Sequence, residues 1–381
     1  VTGKCNLRCR HCRGNLYPER KGYTFSVLKK RLSELIIDYD SIKWVKISGG
    51  EPLLYDSLFD LIEFLNNAKI KTILQTNGTL LSEGSIAKLK SSGLTKMQLS
   101  IEGATTKTND SVRGKGTFEK IINSARLIKR AGLPFAIRTT VMKNNINEIE
   151  EIVRLAKSVG ANEVGFRRVI PIGNAASENL DILERQYAEF LNSINTLSRK
   201  YDINVFCGDP NANSLGLNAN LLMEKSGLEL GGCTIGINSF CINSGGYITP
   251  CSMIDLKLGD LLKDRISDVW ENNFFFKKMR NRETEGCRKC ANRNVCGGCR
   301  AVSFIKYGDY FKRDPRCLMK NNFNFDNTTL TIAPKRITTN LSNSYLFKDK
   351  LNLQIDAGSI FNEEIDFLVL THCHYDHIRY A

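Results

Sequence analysis

Eleven of the thirteen cysteines stand in two groups whose spacing suits metal chemistry. In the first, Cys5-x3-Cys9-x2-Cys12 brings three thiolates into eight residues. Three thiolates on a four-iron cube leave one iron open, and an open iron can take a substrate or cofactor. The competing reading is a zinc knuckle short of its fourth ligand; His11 offers a nitrogen but, beside Cys12, reads as a spacer. The second group runs Cys233-x7-Cys241-x9-Cys251, then Cys287-x2-Cys290-x5-Cys296-x2-Cys299-x17-Cys317. Its two close C-x2-C pairs also suit a zinc ribbon. Export would make such cysteines disulfides, but no export signal is legible, so metal or iron–sulfur ligation is expected. Cys207 lies on an expected strand and reads as a buried small apolar residue.

Three of the four histidines lie in a third constellation, Thr371-His372-Cys373-His374-Tyr375-Asp376-His377. In an extended chain His372 and His374 face one side, with Asp376 and His377 following, an arrangement suited to zinc or iron.

The net charge of +14 raises the prospect of a nucleic-acid partner, so its location matters. Residues 1–31 carry +8 and residues 277–320 carry +9, leaving −3 for the remainder. The excess coincides with the cysteine-rich segments, where cations compensate anionic clusters. A hydrophobic share of 42% and a charged share of 25% over 381 residues describe a globular chain of two or three domains and exclude a disordered one. No run of 18 apolar residues occurs, so no membrane helix is expected. The first residue is Val, and the chain reads as cytoplasmic and as lacking its true N-terminus.

From Thr24 to Lys200 helix and strand periodicities alternate. A stripe of Leu28, Leu32, Leu35, Ile36 and Tyr39 predicts a helix, and Trp44–Ile47 a strand that ends in Ser48-Gly49-Gly50-Glu51-Pro52. Further strands are expected at Ile70–Gln75, Met97–Ile101, Phe135–Val141, Glu163–Val169 and Ile203–Phe206, with helices near 56–67, 82–91, 146–158 and 184–200. Thr117 reads as the N-cap of another helix. This alternation implies parallel strands with crossover helices, whose chemistry gathers where the strands end. Ser48–Pro52, Thr76-Asn77-Gly78, Ser100–Gly103 and Pro171-Ile172-Gly173 all fall at those ends.

Cys-Asn-Leu-Arg-Cys-Arg-His-Cys at residues 5–12, followed one unit later by Gly49-Gly50-Glu51-Pro52, resembles the radical S-adenosylmethionine (SAM) enzymes. The resemblance implies that SAM chelates the open iron and that electron transfer from the cluster cleaves it to a 5′-deoxyadenosyl radical, which abstracts hydrogen from a substrate. It also implies cofactor contacts at Gly49, Gly50, Glu51, Ser100 and Glu102, with Arg113 and Arg138 as partners for the SAM carboxylate. The glycines are expected to let the backbone approach the ligand.

Gly246-x4-Cys251 and the later cysteines resemble the SPASM extension, which binds two auxiliary four-iron clusters. The resemblance implies Cys233, Cys241, Cys251 and Cys299 for cluster one, and Cys287, Cys290, Cys296 and Cys317 for cluster two. Two residues, not the usual three, separate Cys296 from Cys299. Ser252 stands where the sulfatase-maturing branch has an aspartate base.

The histidine run, with Asn343-Ser344-Tyr345 and Ile355-Asp356-Ala357-Gly358, resembles the first metal motif of metallo-β-lactamase-fold hydrolases. The expected architecture is therefore α/β: a partial (β/α)6 radical SAM barrel (1–205), a loop-rich cluster domain (206–320), a linker (321–335) and the truncated start of an αββα domain (336–381). Expected cofactors are SAM, three [4Fe-4S] clusters, and zinc or iron at the histidines. Expected partners are a peptide substrate and an electron donor such as flavodoxin or ferredoxin, with no membrane and no nucleic acid. The alternatives are a tetrapyrrole side-chain modifier and a non-catalytic metal protein that binds nucleic acid; the GGEP loop, which a binding module does not need, argues against the latter.

Overall fold

A computed structural model of the chain describes residues 1–14, 20–214, 232–290 and 292–320, together with four strand segments beyond residue 336. Its centre is a parallel six-stranded sheet in sequence order: β1 (Trp44–Ile47), β2 (Lys71–Thr76), β3 (Lys96–Ser100), β4 (Phe135–Val141), β5 (Glu163–Arg168) and β6 (Asn204–Cys207). Its helices are α1 (Phe25–Asp38), α2 (Leu58–Asn67), α3 (Glu83–Ser91), α4 (Thr106–Arg113), α5 (Thr117–Arg130), α6 (Ile149–Ser158), α7 (Asn174–Ser177) and α8 (Glu184–Tyr201). The expected βα rhythm is present, with strand ends within about two residues of those read from the sequence.

The two faces of the sheet differ in chemistry, since alternate residues of a strand face opposite ways. Leu99, Ile137, Val164 and Val205 stand in register and are buried against apolar helix faces such as Ile121, Ile128, Ile152 and Leu191. Residues of the opposite parity are mostly polar: Gln98 and Glu163 near the strand starts, then Ser100 in register with Arg138 and Thr140 with Arg167. A curved sheet with one apolar and one polar face has a core beneath its helices and a polar bore.

Among the differences from expectation are one helix and one cap. Thr106–Arg113 is helical although it holds a single aliphatic side chain, Val112, and its start is fixed by Thr105, whose hydroxyl accepts from Thr108 N. Thr117 is the first residue of α5 rather than its cap. Asp110 takes the capping role from outside the helix, its carboxylate accepting from Gly116 N at 2.6 Å and Phe118 N at 2.8 Å.

Beyond residue 232 the elements shorten. A three-stranded antiparallel sheet, β7 (Cys241–Ile242), β8 (Tyr247–Thr249) and β9 (Gly259–Asp260), precedes helices Ile266–Asn272, Phe274–Arg280 and Arg300–Tyr307. Four further strands, β10 (Ile337–Thr338), β11 (Asn343–Lys348), β12 (Asn352–Ile355) and β13 (Phe367–Val369), form one sheet whose last pair is parallel. His372, His374, Asp376 and His377 lie outside the described residues. Among the described residues no helix is long and apolar enough to cross a membrane.

Candidate active site at the barrel mouth

The first segment of the chain lies along the end of β1. Gly50 N donates to Thr2 O and Glu51 N to Lys4 O, each at 2.7 Å. A Cβ on Gly49 would fall 2.5 Å from Thr2 O, and one on Gly50 2.1 Å from Lys4 O. These glycines are therefore required by chain-on-chain contact. This differs from the sequence-based reason, approach to a ligand, which had no means of showing that residues 2–4 occupy that space.

Glu51 is fully buried and engaged within the protein. Its carboxylate accepts from Thr76 Oγ1 (2.6 Å), Asn77 N (2.8 Å) and Leu53 N (3.2 Å). Burial raises its pKa, and those bonds oppose the rise. Glu51 thus ties the Gly49–Pro52 turn to the Thr76-Asn77-Gly78 turn, from which Asn77 Nδ2 reaches Asn6 Oδ1 at 2.9 Å.

The Cys5–Cys12 loop is held from its other side as well. Asn174 N donates to Cys12 O and Asn174 Nδ2 to Cys9 O, both at 2.9 Å. Gly173, at φ +57°, leaves room where a Cβ would meet Arg13 O at 2.2 Å. Cys5 and Cys12 are exposed and Cys9 is buried. Leu7 N points at Cys5 Sγ (3.4 Å) and Gly14 N at Cys12 Sγ (3.3 Å); burial raises the Cys5 pKa, and the Leu7 contact opposes the rise. Burial pushes Cys9 up to about 11, with Arg113 opposing, so thiolate there calls for a metal. Three soft donors on a pinned loop fit a cluster with one open iron.

Glu102 joins this loop to the end of β3. Its Oε1 lies 2.8 Å from Arg113 Nη2 and 3.1 Å from His11 Nε2, while Oε2 accepts from Thr140 N at 2.6 Å. Burial works to raise the Glu102 pKa, but His11 and Arg113 outweigh it and the carboxyl is held below its ordinary value. His11, read as a spacer, is a partner in this network, and its Nδ1 is buried without a bond. Only proximity across distant segments of the chain reveals that role.

Of the two candidate arginines, Arg113 is therefore paired internally, whereas among the described residues Arg138 has no acidic partner. Arg138 stands beside Ser100 in register, over the Phe206 ring at 4.9 Å, and among the described residues its Nη1 has no hydrogen-bond partner. Burial, then the charge of Arg167, lowers it to about 10.

In the second domain Cys287, Cys290, Cys296 and Cys317 line one cavity with Asn211 and Asp314. Cys299 is not among the residues lining that cavity; the charges it feels most are those of Arg167, Asp314, Cys233 and Asp209, and those felt by Cys251 include Cys299 and Cys233. The intervening Gly297 and Gly298, at φ +70° and +61°, allow two cysteines so close in sequence to diverge. Cys233 N donates to Cys296 O at 2.8 Å, which locks the two segments together. Cys241 lies on β7 opposite Thr249, and burial raises its pKa while the charge of Arg13 opposes the rise. Cys207 is fully buried, as expected of an apolar filler. Among the described residues no three His, Cys, Asp or Glu side chains converge as they would on a single ion, and a cube spaces its thiolates more widely. Arg13 Nη1 to Ser252 O (2.7 Å), Arg20 to Asp260 (2.9 Å) and Arg316 Nη2 to Val169 O (2.9 Å) tie this domain to the barrel, so part of the basic excess is internal.

Residues 1–156 match the radical SAM superfamily, and residues 233–299 match an iron–sulfur cluster-binding domain called SPASM. The AdoMet-dependent heme synthase of Methanosarcina barkeri is 30% identical over 340 residues, covering 84% of this chain and 95% of that protein. The mycofactocin maturase MftC of Mycolicibacterium smegmatis is 28% identical over 327 residues, covering 84% and 81%. In fold, the chain is similar to Streptococcus suis SuiB bound to its precursor peptide SuiA, with TM-score 0.67, 19% identity, and coverage of 83% and 74%. With the cluster loop, the GGEP turn and the six-stranded parallel sheet in place, the chain belongs to the radical SAM superfamily and is an enzyme of that family with a SPASM-like iron–sulfur domain.

Proposed function

We propose that the protein is a peptide maturase that cleaves SAM reductively and abstracts hydrogen from a peptide held in the barrel bore. The observation that carries this reading is the three-cysteine loop, pinned between the Gly49–Glu51 turn and Asn174 at the mouth of a polar bore. Relatives named as mycofactocin maturase and PqqA peptide cyclase support a peptide substrate. A second reading, a tetrapyrrole modifier, is favoured by three heme synthases at 30%, 27% and 27% identity.

Cys5, Cys9 and Cys12 would hold the SAM cluster, which supplies the electron that cleaves the sulfonium. Gly49, Gly50 and Ser100 offer cofactor contacts, and Arg138, with no carboxylate at ion-pair distance among the described residues, suits the SAM carboxylate bidentately. Glu51, Glu102 and Arg113 would shape the site from behind. Cys287, Cys290, Cys296 and Cys317 would hold auxiliary cluster two, and Cys233, Cys251 and Cys299, with Cys241 as the fourth candidate, cluster one. Flavodoxin or ferredoxin is the proposed electron source.

For residues 336–381 we retain a metallo-β-lactamase-like start, with zinc or iron at His372, His374, Asp376 and His377. The pairing of β11 to β13, antiparallel then parallel, supports it. The test of substrate class is mass-spectrometric: reconstituted enzyme, SAM and reductant are incubated with a leader-bearing precursor peptide or with an iron porphyrin bearing propionates. Loss of hydrogen or new linkage in the peptide alone supports the first reading, and a changed porphyrin alone supports the second.

A further inference from the structure

We propose that Arg167 is the anchor for a carboxylate of the substrate, set in the bore between the SAM site and the thiols of Cys233, Cys251 and Cys299. This rests on the reading of the bore as the substrate site, and it narrows the substrate to one with a free carboxylate near the reacting carbon.

Other cations in or against the barrel have acidic partners. Lys96 pairs with Glu163 at 2.6 Å, Arg113 with Glu102 at 2.8 Å, and Arg168 and Arg316 both with Asp181, at 2.8 and 2.7 Å. Among the described residues neither Arg138 nor Arg167 has a carboxylate within ion-pair distance. They lie on neighbouring strands and on one face. Arg138 is in register with Gly165, and Arg167 with Thr140, so Arg167 sits one layer nearer the mouth. Gly165 makes the pair feasible, because a Cβ there would fall 1.8 Å from Arg138 Nη1. Two neighbouring half-buried guanidiniums repel each other unless anions reach them.

Arg138 has a claimant in the SAM carboxylate. The groups whose charge Arg167 feels most are Cys299, Cys251, Asp209 and Cys233, in that order. The five N–H groups of a guanidinium form a fork, so one edge can face the cluster-one thiolates while a second is left for a bidentate carboxylate. A peptide C-terminus or acidic side chain and a tetrapyrrole propionate present the same group, so both substrate classes satisfy the site.

The test is calorimetric titration of the SAM-saturated, cluster-replete enzyme with propionate and with propionamide. Saturable binding of propionate alone is expected, weakened about tenfold or more in Arg167→Gln and partly recovered in Arg167→Lys. The exposed variant Arg185→Gln should bind propionate as wild type does. Absence of saturable propionate binding, or equal binding by Arg167→Gln at full iron content, overturns the proposal. A tetra-acid porphyrin against its tetramethyl ester, and a precursor peptide acid against its C-terminal amide, then identify the source; if neither acid outbinds its neutral partner the proposal also falls. Cleavage of SAM by the same wild-type preparation separates the two levels: cleavage without propionate binding overturns only the anchor, and no cleavage overturns the enzyme reading itself.

Discussion

Glu102 Oε1 lies 3.1 Å from His11 Nε2, so the end of β3 is joined to the residue between two cluster cysteines. Because Arg113 binds the same oxygen at 2.8 Å, one buried carboxylate fixes both the loop and the helix that follows the strand. Replacing Glu102 by Gln leaves Arg113 buried without its counter-charge, and about 3 kcal/mol of stability should be lost. The pH dependence follows from the lowered carboxyl pKa. The contribution is fully present above the ordinary carboxylate value and disappears as pH falls through the folded value. Urea unfolding of the cluster-free chain should therefore show a decline in stability through the acid range in wild type that is smaller in Glu102→Gln.

Gly50→Ala is expected to disrupt the loop rather than merely crowd the cofactor, since its Cβ would sit 2.1 Å from Lys4 O. A cost of about 1–3 kcal/mol and reduced iron at the first cluster should follow. Gly84→Ala, within α3 and with open space around the added carbon, should instead be neutral or stabilising by about 0.5–1 kcal/mol. Thermal unfolding and iron content of the two variants check the contrast.

The alternation of helices and strands and the polar turns at the strand ends were legible in the sequence because each is a local periodic signal. Helix Thr106–Arg113 was not, since its stability comes from a Thr105 cap rather than an apolar stripe. Nor was the cap of α5, which Asp110 supplies from the preceding helix. The cluster cysteines were legible as a set, but their division rested on family resemblance. Gly297 and Gly298, both at positive φ between Cys296 and Cys299, are compatible with that division. Arg167 went unnoticed because a lone arginine in a strand carries no signal until its neighbours are known.

The auxiliary sites should fail separately. Cys290→Ala should remove cluster two, whose other cysteines share its cavity, and leave cluster one and SAM cleavage at least partly intact. Cys299→Ala should remove cluster one alone. Iron analysis with electron paramagnetic resonance of each variant distinguishes these losses; disappearance of both auxiliary signals in either variant would count against the division.

Assembly of the clusters should depend on pH. Burial pushes Cys9 up to about 11 and Cys251 and Cys296 to about 12, so protons must leave as metal enters. The reconstitution rate, followed by absorbance, should rise from neutral toward alkaline pH, and a flat profile would contradict the burial of these thiols.

The most direct measurement is anaerobic incubation of the reconstituted chain with SAM and a low-potential reductant, followed by quantification of 5′-deoxyadenosine and methionine. The assignment predicts equal amounts of both products, and none from the variant in which Cys5, Cys9 and Cys12 are all Ala. Continued 5′-deoxyadenosine formation by that variant, or none from a wild-type chain whose clusters are fully loaded, would contradict it.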